Sequence, residues 1–391
     1  MLKVILKKGK EVSLLRKHPW VFSGAIGSTE GVLSDGCTVQ VYSHQQKLLG
    51  SGHFQNSSIA VRLLTFDNTN INQEFWNQRI QDAYEFRLRC GLAENGETNC
   101  YRLVFGESDG LPGLIMDFYN GTIVFQAHSI GMHLNRNAIL EALIKTFGNR
   151  LKAVYDKSKE SLPGNYADSI KNSFLMGDGN EDRVTEHGNR FYVNWTSGQK
   201  SGFFLDQREN RKLLTSYVKG KKVLNAFCYT GGFSVYAGNA GAELIHSVDS
   251  SAKAMELTEK NISLNGISGH EGFCADVFDF LKSRSLDYDV VILDPPAFAK
   301  HRDAKHKAVI GYKNLNALAL KKMKRGSILF TFSCTQVVDR QLFINTISSA
   351  AIEAGREVRV LHYLHQPCDH PVNLMHPESE YLKGLVLYVV K

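Results

Sequence analysis

Between Lys221 and Asp249 the chain reads KKVLNAFCYTGGFSVYAGNAGAELIHSVD, and no other stretch restricts the fold as tightly. The apolar run Val223–Phe227 predicts a strand, Thr230-Gly231-Gly232 a turn, the next residues a helix, and a second strand closes on Asp249. That order is a β-turn-α-β nucleotide-binding unit. Its glycines let the backbone approach a ligand and turn without a Cβ clash. Asp249 falls where a carboxylate accepts the hydroxyls of a ribose. The GxGxxG fingerprint is missing, and Phe233-Ser234 after the glycine pair leaves no glycine-lined cradle for a pyrophosphate. A ligand with a ribose but no diphosphate, such as S-adenosylmethionine, is therefore expected, and NAD is disfavoured.

From about residue 190 strands and helices alternate to the carboxyl terminus, the mark of α/β packing around a mostly parallel sheet. The expected strands are 222–227, 243–248, 288–293, 327–332, 357–362 and 384–390, with helices near 251–264, 307–323 and 339–354. Earlier segments differ. Residues 1–72 alternate like antiparallel strands at 2–6, 38–42 and 59–64, punctuated by Gly31, Gly36, Gly50 and Gly52, which suggests a small β-barrel. Residues 73–189 suggest a small α+β middle domain. It opens with a helix whose stripe is Trp76, Ile80, Tyr84 and Leu88, with Arg79, Arg87 and Arg89 free to face solvent or nucleic acid. Three domains, 1–72, 73–189 and 190–391, suit a chain of 391 residues.

Forty-six Lys+Arg against 39 Asp+Glu leave a net charge of +7, which permits a polyanionic partner. The seven cysteines have no repeated spacing and suggest free thiols in a reducing compartment. No apolar run approaches the roughly 18 residues that span a bilayer, and no long apolar signal segment opens the chain, so no membrane partner and a cytosolic location are expected.

Several clusters carry candidate chemistry. Arg16-Lys17-His18-Pro19-Trp20-Val21-Phe22 interleaves cations and aromatics; on an exposed rim Arg16, Lys17 and Trp20 hold phosphates and stack on bases, or else Trp20 and Phe22 fill the barrel. Lys200 and Arg208 add positive charge just before the nucleotide unit, and Asp206 with Glu209 has the spacing of a capping box. Asp294-Pro295-Pro296 ends a strand where open α/β sheets gather functional groups, and its carbonyls and carboxylate suit an exocyclic amine, with Phe298 placed to stack on a base. Lys300 and Arg302 open the densest basic stretch, a flap suited to a phosphate backbone or simply solvated. Cys334 ends the next strand. It is either structural or a nucleophile that adds to C6 of a pyrimidine so that C5 attacks a sulfonium methyl. Asp276 either accepts from the adenine amine or caps a helix. Glu107 with Asp109 in a glycine-rich turn is expected to be solvated. His362, His365, Cys368 and His370 match no standard zinc spacing, so no metal is expected.

These strings resemble one known family over essentially the whole chain: bacterial 23S ribosomal RNA cytosine-5 methyltransferases with an amino-terminal PUA domain. The resemblance rests on Arg16–Phe22, Phe105–Gly113, Lys200–Arg208, Tyr229–Ser234, Asp294-Pro295-Pro296, Ser333-Cys334 and Pro377–Gly384. It implies a PUA-like barrel, the middle domain and a Rossmann-like methyltransferase domain. It further implies that Phe227, Tyr229, Thr230 and Gly231, with Asp249, Ser250, Asp276 and Asp294, bind S-adenosylmethionine. Asp294 would lie between methyl donor and base, Cys334 would be the nucleophile, ribosomal RNA the partner, and a homodimer the assembly. Ala297 departs from the lysine that often follows the two prolines, and Thr335 from the common serine. Competing readings are an N-methyltransferase that uses Asp294-Pro295-Pro296 without a cysteine adduct, and a non-catalytic RNA-binding assembly factor.

Overall fold

The fold is described from a computed structural model, which describes residues 2–299 and 301–391. Lys300, and the side chain of Arg302, lie outside the described residues. By contact the chain divides into two compact units. The first comprises 1–184, 193–203 and 368–379, the second 185–192, 204–367 and 380–391.

The first unit opens with β1 (Lys3–Leu6), α1 (Val12–Leu15), β2 (Trp20–Phe22), β3 (Ile26–Glu30), β4 (Thr38–Tyr42), β5 (Leu48–Phe54) and β6 (Ile59–Thr65). Their sheet runs β2-β6-β5-β4-β1-β3. Its two edge strands are joined only by the short turn Ser23–Ala25, so the sheet must curl back on itself as the expected barrel. Gly50 and Gly52 do not punctuate it. They lie inside β5, where a Cβ would meet the Thr65 carbonyl at 2.2 Å and the Arg62 carbonyl at 2.0 Å, and so let β6 cross closely.

Next come α2 (Gln73–Arg89), β7 (Cys100–Phe105), β8 (Leu114–Tyr119), β9 (Thr122–Ala127), α3 (Ile130–Leu134), α4 (Arg136–Phe147), β10 (Ala153–Asp156), α5 (Gly164–Ala167) and β11 (Ser173–Met176). The five-stranded sheet is ordered β11-β10-β9-β8-β7 and has its own core, to which Trp76, Ile80 and Tyr84 belong as the stripe predicts. The expectation for Arg87 fails here. Arg87 does not face solvent but is fully buried, with two nitrogens on the Asp109 carboxylate at 2.6 and 2.8 Å and a third bond to the Asp369 carbonyl. Asp109 and Glu107 are correspondingly not solvated decoration: Asp109 also accepts the Phe105 amide, and Glu107 accepts the Trp20 indole N–H at 2.8 Å.

A ribbon of β12 (Glu181–Glu186) and β13 (Asn189–Asn194) follows. The second unit then supplies α6 (Arg208–Leu214), β14 (Lys222–Ala226), α7 (Gly232–Asn239), β15 (Leu244–Asp249), α8 (Ala252–Leu264), β16 (His270–Cys274), α9 (Val277–Ser283), β17 (Val290–Leu293), α10 (Lys305–Lys322), β18 (Ile328–Ser333), α11 (Arg340–Glu353), β19 (Val358–His365) and β20 (Lys383–Val389). The seven-stranded sheet is ordered β16-β15-β14-β17-β18-β20-β19. All neighbours are parallel except β20, which runs antiparallel to β18 and β19. From β14 the chain winds out to β16 and then returns to β17 on the other side. The switch point, where a crevice opens beyond the strand ends, therefore lies between β14 and β17. No helix among the described residues is long and apolar enough to cross a membrane, and all seven cysteines are free.

Removing Asp109 strands a buried guanidinium. Asp109→Ala should lower stability by about 3–5 kcal/mol, read as a drop in the denaturant midpoint of the unit that contains it, whereas Arg87→Met with Asp109→Leu should recover most of the loss.

Candidate active site

The loop after β14 carries unusual backbone geometry. Phe227 (φ 60°), Tyr229 (φ 47°) and Gly231 (φ 74°) all lie in the left-handed region, which costs an ordinary side chain of order 1 kcal/mol or more unless the surroundings enforce it. They do. The Cys228 amide bonds the Val248 carbonyl, Thr258 donates to the Tyr229 carbonyl at 2.8 Å, and Asn261 donates to the Thr230 carbonyl at 2.9 Å. Helix α8 thus holds the loop from below. A Cβ on Gly231 would lie 2.7 Å from Thr258 Cγ2, so glycine is required by space as well as by φ.

Asp249, at the end of β15, ties the same loop. One carboxylate oxygen accepts the Tyr229 amide at 3.0 Å, the other the Ser251 amide at 2.9 Å. Each oxygen keeps a lone pair, so the carboxylate can still accept hydroxyl donors such as those of a ribose. Ser250 beside it is exposed, and Thr230 is buried against α7 and α8. Asp276 caps α9, accepting the Asp279 amide at 3.1 Å, yet stays exposed. Cys228 lies in the loop, but burial first and the Asp249 carboxylate second push its thiol up to about 12, so it stays protonated.

Asp294 follows β17 and Cys334 follows β18. These strands are parallel neighbours in the register Leu293 to Thr331, so both residues emerge on one rim of the sheet, the rim that carries the β14 loop. Cys334 is half-buried rather than interior. Asp294 accepts the Gln207 side-chain amide at 3.0 Å, and Asn210 donates to the Gln207 oxygen at 2.6 Å, which fixes the amide with its nitrogen toward the carboxylate. Sequence pattern does not single out Gln207; its only signal is membership of the Lys200–Arg208 string.

The other cations and aromatics divide. Arg16 and Lys17 are exposed as a phosphate-binding rim requires, with the Lys17 ammonium 4.9 Å from the Phe66 ring. Trp20 does not fill the barrel; Val21 does. The indole is held by Glu107 and met edge-on by His18, Phe22 and His376, and Phe22 is 50% exposed. Lys200 is exposed. Arg208 is fully buried with its Nε on Glu209 at 3.2 Å, so in this structure it presents no charge to an RNA surface. The Asp206 capping box does not form either: α6 is capped at Gln207 without a side-chain bond, and Asp206 instead accepts the Tyr381 hydroxyl at 2.6 Å. Phe298 packs on Tyr312 with ring centroids 4.7 Å apart and against Gly311, which removes it as a base-stacking platform.

His362, His365 and His370 each have a separate partner, in Tyr217, the Gln366 carbonyl and Asp369. Among the described residues one other group, His18, His376 and Glu378, has metal-like spacing. There the Trp20 amide donates to His18 Nδ1, so Nε2 must carry the proton it points at Glu378, 3.4 Å away. That is a hydrogen-bonded pair rather than a pair of ligands.

Comparison with known proteins agrees with this fold. Residues 4–66 match a PUA-like domain, and residues 156–362 match an S-adenosylmethionine-dependent methyltransferase. The chain is 40% identical over 396 residues to ribosomal RNA large subunit methyltransferase I of Pseudoalteromonas atlantica, covering 99% of each chain. It is 38% identical over 397 residues to the protein of the same name from Klebsiella pneumoniae, covering 99% of this chain and 98% of that one. Among solved structures, a protein crystallised in complex with SAH superimposes over the whole of both chains with a TM-score of 0.85 at 24% identity, and a protein from Streptococcus mutans does so with 0.84 at 24%.

In Asp249→Asn one side-chain oxygen becomes an N–H that must face a backbone N–H. S-adenosylhomocysteine affinity by calorimetry should fall roughly tenfold to a hundredfold, about 1.4–3 kcal/mol, without loss of the fold.

Proposed function

The chain belongs to the ribosomal RNA large subunit methyltransferase I family, and from that premise we propose that it methylates C5 of a cytosine in 23S ribosomal RNA. Its cofactor is S-adenosylmethionine, which supplies an electrophilic methyl group. Phe227–Gly231, Asp249, Ser250 and Asp276 hold that cofactor, and Asp294 lies between it and the base.

C5 of cytosine is a weak nucleophile. Addition of the Cys334 thiolate to C6 makes the ring an enamine, whose C5 then takes the methyl group as the donor's carbon–sulfur bond breaks. Loss of the C5 proton to a base and expulsion of the cysteine restore the aromatic ring. Asp294, fixed by Gln207, accepts hydrogen bonds from the target's exocyclic amine. The observation that carries this reading is the emergence of Cys334 and Asp294 from adjacent parallel strands onto the rim of the cofactor loop. A methyltransferase acting on nitrogen has no use for a thiol there.

The exposed Arg16 and Lys17 of the barrel, with Lys200, Lys300 and Arg302, bind the RNA backbone, and the enzyme works in the cytoplasm as a homodimer. Trp20 serves that surface as a brace through Glu107 rather than as a stacking ring.

Cys334→Ser should retain S-adenosylhomocysteine binding while turnover falls by about 10³-fold or more. The wild-type protein should form a covalent complex with RNA containing 5-azacytidine, mapped to Cys334 by mass spectrometry. Full activity in the serine variant, or trapping through another residue, removes the cysteine route. Asp294→Asn should slow turnover by about 10²-fold with little change in cofactor affinity.

A further inference from the structure

The string Tyr381-Leu382-Lys383-Gly384 opens β20, and most of it is explained by packing. The Tyr381 and Leu382 amides bond the Gln366 side chain, and Leu382 is buried in the core. A Cβ on Gly384 would lie 2.6 Å from the Phe332 ring, so only glycine lets β20 close on β18. Lys383 is different. It is 3% exposed, and among the described residues its ammonium makes no ion pair; its hydrogen-bond partner is the neutral Thr335 carbonyl at 2.7 Å.

A buried cation with no anion is expensive. The antiparallel register pairs Lys383 with Ser333, and the lysine side chain reaches from there to the carbonyl of Thr335, so it runs alongside the intervening residue, Cys334. We propose that Lys383 is a positioning residue whose ammonium is the counter-ion of a Cys334 thiolate, keeping the nucleophile ionised before RNA arrives. This rests on Cys334 being the nucleophile.

The surrounding charges leave that role to Lys383. Arg340 is committed to Glu380 at 2.6 Å, and Asp339 accepts the Leu342 amide as the cap of α11. Tyr312, pushed up to about 12 chiefly by burial, stays protonated and shares a 2.7 Å bond with Thr335 Oγ1. Burial brings Lys383 down to about 8, with Cys334 the strongest group pulling the other way. Below that pH the ammonium is already charged, so the thiol proton is released to bulk water and not to the lysine.

The test is the pH profile of Cys334 alkylation by iodoacetamide, resolved from the other cysteines by peptide mass spectrometry. The near-isosteric Lys383→Met, checked for fold by S-adenosylhomocysteine binding, should raise the midpoint by about one pH unit or more. Its methyl transfer should fall about tenfold at pH 7 and recover toward wild type near pH 9, because the missing charge is replaced by a higher thiolate fraction. Lys383→Arg keeps the charge and should stay near the wild-type midpoint. An unchanged midpoint in Lys383→Met, or an equal rise in Lys383→Arg, overturns the assignment. If wild-type protein fails to trap on 5-azacytidine RNA while the midpoint still shifts, the ion pair stands and the C5 reading is what falls.

Discussion

Strand direction is the constraint on which the site depends. Because β14, β15, β17 and β18 are parallel, every residue that follows one of them leaves the sheet on the same side, whatever its distance in sequence. The loop at 227–231, Asp249, Asp294 and Cys334 emerge on one rim by that rule alone. Antiparallel strands would have scattered them over two rims. The one antiparallel member, β20, enters from the opposite sense, so its first residues, not its last, lie at the end of β18.

The loop after β14 shows how such a rim is stiffened. Its left-handed residues are held by side chains of α8, which take up the Tyr229 and Thr230 carbonyls, and by Asp249, which takes up the Tyr229 amide. The Asp249 carboxylate is therefore part of the scaffold that shapes the loop. Rigidity on this scale is a form of preorganisation, since little ordering remains when a ligand enters.

Much of this is legible in the sequence. Val223–Phe227 and the strands at 290 and 328 are short apolar runs bounded by glycine, proline or charge, so they were placed within a residue or two, and with them the positions of Asp249, Asp294 and Cys334. β16 is legible only as a strand that should end just before Asp276, because His270–Cys274 is an edge strand that is largely exposed and has no alternation; its bounds come from its pairing with β15. The buried charges were also illegible. Arg87 reads as a solvent-facing residue between apolar stripe positions until Asp109, 22 residues away, neutralises it. Asp206 has the spacing of a cap, but a tyrosine 175 residues later claims it. Such pairings are long-range, and local pattern carries no trace of them.

The segment Cys368–Ser379 joins β19 to β20 yet packs with the first unit, where Asp369 engages both Arg87 and the Arg102 amide. The chain thus returns to its beginning before it lays down its final strand. A fragment starting near residue 190 would carry a dozen residues deprived of their partners just ahead of the strand that completes the sheet. The two halves cannot be exchanged as cassettes with those of another protein at a single splice point.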